Sequence, residues 1–338
     1  TALSVGTVAF VTNRTIQTEL TTGVKQNLTR VARVTALAIG IELDKQVDLL
    51  RTAALNSDLD DNLATISATS DLAELKRLDQ QWRAADAAGN DADPLVQSVL
   101  NNTIAQELHE LREAFPENVE VFVTDRYGAN VAATNRTSDY YQADEVWWQA
   151  AYNNGQGGVF IGQPEFDDSS QTLGMQIAVP VIDSKTGEVV GLLRTMVDLK
   201  VFTEALEAGQ FGQTGKTEIY LPDGMELEIE READGGFELK LEEAPPDFLD
   251  VLQQGEPFLD TTHRGILVMG GQSPLARAED TPEDVAAFER LDWRVVTLQD
   301  RVEALQATNE AARGALLAGL GALLMAGLLA VGIAQLLS

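Results

Sequence analysis

The chain opens with a long stretch in which apolar residues recur every three or four positions. From Arg14 to about Asn56 there is no Pro, and the only Gly residues are Gly23 and Gly40. The recurring apolar residues are Leu20, Val24, Leu28, Val31, Val34, Ala38 and Ile41. This spacing puts them on one face of a helix. We predict one long helix that forms a coiled-coil-like dimer seam and packs on the rest of the domain, in succession along its length.

The pattern then changes from helical to alternating. Residues 72–82 and 95–115 keep helical periodicity, with a loop at 89–94 between them. Beyond Phe115, short apolar runs alternate with turns that contain Gly, Asp or Asn, which is typical of strands joined by tight turns. The predicted strands are 119–124, 129–133, 159–162, 172–182 and 189–198, and a short helix is predicted at 145–152. These elements indicate an α+β module with an antiparallel sheet.

A second, smaller set of elements starts at Gln213. The predicted strands are 217–221, 225–230, 237–241, 265–269 and 293–298, and a short helix is predicted at 246–253. Both sets contain a strand, a turn with Asp and Gly, a returning strand, a helix and a final long strand, which indicates an internal duplication. The predicted fold class is therefore α+β, with a long N-terminal helix followed by two tandem modules at 59–209 and 210–300.

Both ends of the chain are apolar. Residues 314–338 contain no charge, and at about 1.5 Å per residue they would cover a bilayer core of roughly 30 Å. We therefore predict a juxtamembrane and transmembrane helix at 301–338, with a buried helix of a soluble core as the alternative. Residues 1–13 are predicted to be the end of a truncated first transmembrane helix, with a signal peptide as the alternative. Residues 14–58 are then the helix that leaves the membrane.

Composition excludes several classes of function. The formal net charge is -29, from 53 acidic and 24 basic residues, and no stretch gathers positive charge, so nucleic-acid binding is not expected. The absence of Cys excludes disulfides, thiolate zinc sites and cysteine nucleophiles. The histidines His109 and His263 lie far apart in the sequence, and there is no phosphate loop or catalytic triad motif. We predict no enzymatic activity, no cofactor and no metal site.

An aromatic cluster with nearby carboxylates is the strongest chemical signal in the sequence. Most of the chain's Tyr residues and half of its Trp residues fall within thirteen positions, as Tyr140, Tyr141, Trp147, Trp148 and Tyr152. Aromatic faces beside acidic groups can hold a cation. In a competing interpretation Trp147 and Trp148 face opposite sides of a helix, so that at least one belongs to the core. The loop at 167–169 is interpreted as solvated rather than as a calcium site, because six to eight oxygen ligands are not evident.

Four segments in register resemble the double Cache sensor domains of prokaryotic chemoreceptors, sensor histidine kinases and cyclases. The segments are 121–134 (VFVTDRYGANVAAT), 144–151 (DEVWWQAA), 165–183 (EFDDSSQTLGMQIAVPVID) and 187–199 (GEVVGLLRTMVDL). The resemblance implies two PAS-like Cache modules after a dimerising helix. The membrane-distal module would hold a ligand pocket, and the membrane-proximal module would pass its change to the second membrane span.

The resemblance also implies site residues. Amino-acid-binding members carry Arg-x-Trp-Tyr on the pocket helix, then Tyr-x-Asp, then an Asp that ends a later strand. Trp147 and Trp148, Phe166 and Asp168, and Asp198 stand at these positions, whereas Glu145 stands where the Arg would be. Without that cation, which would clamp a ligand carboxylate, we expect a cationic, amine or neutral ligand rather than a standard amino acid. The predicted ligand-binding residues are Tyr140, Tyr141, Glu145, Trp147, Trp148, Phe166, Asp168 and Asp198.

Together these features predict the ligand-sensing region of a transmembrane signalling receptor. Residues 14–312 would lie outside the cytoplasm, and the receptor would be a homodimer joined through its N-terminal and transmembrane helices. Two alternatives remain open. One is a membrane-anchored hydrolase that uses Glu145 with Asp168 or Asp198 as acid and base, and the other is a structural stalk that binds no ligand.

Overall fold

Two six-stranded antiparallel sheets follow one long helix, so the predicted α+β class is confirmed. The computed structural model describes residues 2–56, 59, 62–63, 70–167, 170–231, 236–276 and 282–306, with positions 310, 313, 314, 317 and 321. We call the sheet of strands β1 to β6, with its helices, the first module. The sheet of strands β7 to β12, with its helices, is the second module.

Helix α1 is continuous from Ala2 to Ala54 and lies against both sheets. The side chains that it buries are Leu28, Ala32, Ala36, Ile39, Leu43, Val47 and Leu50. This stripe differs from the predicted apolar face, since Val34 and Ile41 are 61% and 47% exposed. The true inward face contains two alanines, which let the helix approach the sheets closely. The homodimer stays a prediction.

The two predicted membrane spans lie at the ends of the chain. The span at 314–338 lies outside the described residues except for three helical positions. Residues 2–13 form the first turns of α1. Within the described part of the chain, no helix is both long enough and apolar enough to cross a membrane.

The first module consists of a mixed set of short helices around one sheet. The helices are α2 (Leu72–Ala87), α3 (Pro94–Leu100), α4 (Thr103–Ala114), α5 (Val146–Tyr152) and α6 (Thr203–Ala208), with 3-10 turns at Asn153–Gly155 and Leu199–Phe202. The strands are β1 (Asn118–Asp125), β2 (Asn130–Ala133), β3 (Phe160–Ile161), β4 (Glu165–Asp167), β5 (Thr172–Ile182) and β6 (Val189–Asp198). Their order is β2-β1-β6-β5-β3, and β4 also pairs with β5.

The single helix predicted at 95–115 is two helices in the structure. The Asp93 carboxylate caps α3 through the Leu95 backbone N–H at 2.8 Å, and Pro94 occupies the first turn. The Asn102 side chain then accepts a hydrogen bond from the Ala105 N–H at 2.8 Å and starts α4. Asn at a capping position therefore interrupts an apolar period that would otherwise continue.

The second module has the strand order β10-β11-β12-β7-β8-β9. The strands are β7 (Lys216–Tyr220), β8 (Met225–Arg231), β9 (Phe237–Glu243), β10 (Phe258–His263), β11 (Ile266–Pro274) and β12 (Arg294–Asp300). The helices are α7 (Pro246–Gln253), α8 (Pro282–Glu289) and α9 (Arg301–Ala304). Strand β10 was not among the predicted strands, because an edge strand with a polar outer face (FLDTTH) lacks a strong apolar signal. The continuation of the predicted helix at 301–312 lies mostly outside the described residues.

The two modules share one hydrophobic core. The Trp293 ring packs edge-on against Phe202, with ring centroids 5.9 Å apart, and its indole N–H donates to Gln163 Oε1 at 2.7 Å. At Gly271, an added Cβ would lie 2.3 Å from the backbone nitrogen of Thr29. Only glycine permits this approach of α1 to strand β11. The long helix and the Trp293 contact thus join the modules.

Candidate ligand-binding site

A small polar cavity of about 170 Å³ lies between the first sheet and the start of α5. Strands β1, β4, β5 and β6, the loop before α5 and the first turn of α5 all contribute to its walls. Its carboxylates are Glu120, Asp139, Glu145 and Asp167. Its other polar side chains include Gln142, Gln176 and Arg194, and its aromatic walls are Phe122 and Trp147.

Arg194 is the cationic group of this cavity. It lies on β6 directly opposite Phe122 of β1, and only 7% of the residue is exposed. One guanidinium nitrogen donates to Glu120 Oε1 at 3.0 Å, while Nε is buried without a hydrogen-bond partner among the described residues. A buried N–H without an acceptor is costly, so the environment of Arg194 is incomplete as the described residues stand.

Two aromatic rings surround the guanidinium. Its central carbon lies 4.9 Å from the ring centroid of Phe122 and 5.5 Å from that of Trp147. These rings contact each other edge to face, with centroids 5.6 Å apart and an interplanar angle of 84°. Cation–π contacts of this kind hold an arginine in one orientation.

The carboxylates of the cavity differ in their environments. Asp139 accepts hydrogen bonds from Gln142 at 2.5 Å and Arg83 at 3.1 Å, yet its burial raises the pKa of the carboxyl group. Partial desolvation and the nearby negative charges of Asp139 and Asp144 raise the pKa of Glu145. Asp167 accepts from the backbone N–H and the hydroxyl of Ser170, at 2.7 and 2.6 Å. We call Asp139, Glu145 and Asp167 the acidic wall of the cavity. The same cavity contains one buried guanidinium, that of Arg194.

Two of the eight predicted site residues, Glu145 and Trp147, line the cavity. Trp148 lies on the core side of α5, where its indole N–H donates to Thr124 Oγ1 at 3.0 Å and its ring stacks on Tyr152 at 4.6 Å. Both tryptophans are thus buried, but they face different surroundings.

Three more of the predicted residues, Tyr140, Tyr141 and Phe166, lie away from the cavity. Tyr140 packs on Trp82, and burial raises the pKa of its hydroxyl to about 12. Tyr141 is partly buried in a bridge to Ala129. Phe166 is 60% exposed on β4. These residues are not among those that line the cavity.

The remaining acidic residues bear on the hydrolase alternative. The carboxylate of Asp198 accepts from the backbone N–H of Lys200 at 2.9 Å and caps the turn after β6. It does not line the cavity with Glu145. Asp168 lies outside the described residues.

Sequence reasoning missed Glu120, Asp139, Gln176 and Arg194. Glu120 interrupts the strand sequence VEVFVT, and Arg194 interrupts LLRTMV, in strands whose other side chains are almost all buried. A charged side chain inside a buried strand is rare unless it has a partner. That signal was present in the sequence, although the pairing of Glu120 with Arg194 depends on the register of β1 and β6.

Comparison with known proteins yields similarities in structure alone. No protein-family model and no curated protein sequence matches the chain. The ligand-binding domain of the Pseudomonas fluorescens chemoreceptor CtaA in complex with L-isoleucine is similar, with a TM-score of 0.48 and 14% identity over 88% of this chain and 99% of that one. The domain of the Pseudomonas aeruginosa chemoreceptor PctB in complex with L-Arg gives 0.47 and 15%, over 83% and 96%. The domain of the Campylobacter jejuni chemoreceptor Tlp3 in complex with 4-methylisoleucine gives 0.48 and 10%, over 84% and 94%. These proteins are of the class that the sequence resemblance predicts.

The expectation that an amino acid is a disfavoured ligand is wrong. The similar solved domains hold L-isoleucine, L-Arg and 4-methylisoleucine. The expectation rested on Glu145 in the place of an arginine on the pocket helix. In the structure the guanidinium enters the same cavity from strand β6, as Arg194, so the cavity does not lack a cation.

Proposed function

We propose that the first module binds a small zwitterion of the α-amino-acid type in the Arg194 cavity. We further propose that the chain is the extracytoplasmic ligand-sensing region of a membrane signalling receptor, without catalytic activity of its own. The observation that carries the proposal is a buried guanidinium, whose Nε–H has no acceptor among the described residues, in a cavity that Asp139, Glu145 and Asp167 also line.

Charge complementarity supports a zwitterion over a simple cation. A guanidinium donates to a carboxylate through two parallel N–H groups, and Arg194 has an N–H to spare. The ammonium group of the same ligand would then face Asp139, Glu145 and Asp167 on the other walls. A cation alone would leave the Nε–H of Arg194 unsatisfied.

Size and shape support a small ligand. Pockets for drug-sized molecules occupy roughly 300–1,000 Å³, whereas this cavity holds about 170 Å³. The rings of Phe122 and Trp147 cover the guanidinium on one side. Their exclusion of water would strengthen each charged contact that the ligand makes.

A route for the sensing step starts at the same residue. Arg194 lies on β6, and this strand continues directly into the turn Leu199–Phe202, where Phe202 contacts Trp293 of the second module. A ligand that binds one arrangement of this strand more tightly than another would shift the populations of the two. The contact between Phe202 and Trp293 would pass that population shift to the second module.

Titration calorimetry with standard amino acids tests the binding proposal. We expect binding by one or more intact amino acids, and loss of binding by the matching carboxylic acid without the amine and by the matching amine without the carboxylate. Arg194→Met should weaken binding by at least about tenfold, because a hydrogen bond to a charged group contributes about 1.5–3 kcal/mol. Arg126→Met is the matched control, since Arg126 pairs with Glu188 at the far turn of the same sheet.

The buried ion pair requires a second variant. Arg194→Met removes the cation that pairs with the buried Glu120, so Arg194→Met combined with Glu120→Gln removes both charges of the pair. If this double variant is folded and binds the same amino acid with unchanged affinity, the ligand does not use this cavity.

A further inference from the structure

Three metal-ligating side chains converge inside the second module, away from the proposed ligand cavity. Glu218 of β7 and Glu226 of β8 are 0% exposed, and His263 at the end of β10 is 4% exposed. One ligand atom from each of the three lies within 4.8 Å of the other two. His263 Nε2 lies 4.0 Å from Glu218 Oε2 and 3.7 Å from Glu226 Oε2.

The cluster contains one carboxylate oxygen that is buried without a hydrogen-bond donor in the described part of the chain. Glu226 Oε1 pairs with Arg264, but Glu226 Oε2 is buried without a hydrogen-bond partner among the described residues. Glu218 Oε2 accepts from the Tyr220 hydroxyl at 2.7 Å, and Glu218 Oε1 is paired with the Lys216 ammonium group. Buried carboxylate oxygens normally have donors, so Glu226 Oε2 indicates a missing cationic partner.

We propose that Glu218, Glu226 and His263 bind a divalent transition-metal ion of the zinc type. An imidazole nitrogen with carboxylate oxygens is a ligand set that suits Zn²⁺ and its neighbours in the first transition row. Ca²⁺ takes six to eight oxygen ligands, which this cluster does not provide. The Tyr220 hydroxyl, 3.2 Å from His263 Nε2, lies beside the position that the ion would take.

The surrounding charges fit a divalent ion. Lys216 contacts Glu218 and Glu228, and Arg264 contacts Glu226 and Glu242. These four carboxylates meet two side-chain cations, which leaves an excess of two negative charges. A divalent cation would neutralise that excess, and the three residues that would bind it are themselves buried.

The neighbours of the three ligands also hold them in place. Arg264 fixes one oxygen of Glu226, and Tyr220 fixes one oxygen of Glu218. The ring of Phe248 on α7 packs against the His263 imidazole, with centroids 4.9 Å apart, and covers the cluster. Outer partners of this kind orient metal ligands and tune their affinity. Neither the spacing of these positions nor their strands suggested a metal site in the sequence analysis.

Zinc binding by the purified full chain tests the proposal. After treatment with EDTA, we expect the chain to bind one equivalent of Zn²⁺ and to melt at a higher temperature, with no such shift for Ca²⁺. Co²⁺ should bind at the same site and develop the visible absorption of a low-symmetry complex. Absence of equimolar Zn²⁺ binding by the folded chain would overturn the proposal.

Variants assign the ion to this cluster. Glu226→Gln and His263→Gln should each lower Zn²⁺ affinity by more than tenfold. Glu230→Gln is the matched control, because Glu230 lies on the same strand, pairs with Lys240 at the surface and should leave affinity unchanged. Wild-type affinity in folded His263→Gln would refute the assignment.

Imidazole NMR tests whether His263 binds Zn²⁺ even if these variants do not fold. The chain has two histidines, so His109→Gln leaves His263 as the only imidazole signal. Zn²⁺ should then shift the nitrogen resonances of His263, and unshifted resonances at saturating Zn²⁺ would overturn the proposal. Amino-acid titration of the same samples reports on the first module separately, so the two proposals can fail independently.

Discussion

Adjacent residues on α5 have different surroundings. Trp147 faces the cavity and the guanidinium of Arg194, while Trp148 donates to Thr124 and stacks on Tyr152 in the core. We expect Trp147→Leu to weaken amino-acid binding, because it removes the ring that shields the charged contacts. We expect Trp148→Leu to lower the free energy of unfolding by about 2–4 kcal/mol, through a core cavity and an unsatisfied hydroxyl, with affinity unchanged.

Urea denaturation and calorimetry on both variants separate these effects. Equal losses of affinity would show that α5 acts as a unit and that Trp147 has no contact of its own with the ligand.

Two residues of the acidic wall give the affinity a pH dependence. Burial raises the pKa of Asp139, and desolvation with neighbouring carboxylates raises the pKa of Glu145. Both groups therefore take up protons at a higher pH than exposed carboxyls do. Since the charged forms would attract the ligand ammonium, affinity should fall as the pH is lowered from neutral through these raised pKa values.

Calorimetry over a pH series measures this effect. The combination of Asp139→Asn with Glu145→Gln should weaken binding at neutral pH and flatten the profile. Asp250→Asn on the exposed face of α7 should leave the profile unchanged. A profile that keeps its slope in the double variant would place the titrating group elsewhere.

At the scale of elements, α1 shows what a periodic pattern can and cannot determine. The sequence predicted the helix because apolar residues recur at helical spacing over its length. It did not determine the inward face, since Ala32 and Ala36 compete with Val31 and Val34 for that role. The choice depends on the neighbouring strands, where Gly271 lets the alanine-bearing face approach.

Paired alanine substitutions on α1 test which face supports the fold. Leu43 is 1% exposed and Ile41 is 47% exposed. Leu43→Ala should lower the free energy of unfolding by about 2–5 kcal/mol, because it leaves a cavity between the helix and the sheets. Ile41→Ala should change it by less than about 0.5 kcal/mol in the monomer. Urea denaturation measures both, and similar losses would contradict the buried stripe.

For the whole molecule, the order of elements was more predictable than their contacts. Turn residues and alternating apolar runs predicted the main strands of both sheets, because these signals are local in the sequence. The weak edge strands β4 and β10 carry few apolar residues and were missed. The Glu120–Arg194 pair joins residues 74 positions apart, and the Glu218, Glu226 and His263 cluster joins three strands. Sites of this kind follow from strand register, which the sequence patterns did not specify.

The contact between Phe202 and Trp293 makes the link between the modules testable. If ligand binding at Arg194 is transmitted along β6, saturating amino acid should change hydrogen exchange in β7 and β12 of the second module. Trp293→Phe removes the hydrogen bond to Gln163 and part of the contact with Phe202. It should reduce that exchange response while the first module still binds ligand, since mutations along a coupled route change coupling by about 0.5–2 kcal/mol.

Trp148→Phe makes the same chemical change inside the first module and should leave the response intact. A full response in Trp293→Phe would mean that the change travels by another route, such as α1, which also contacts both sheets.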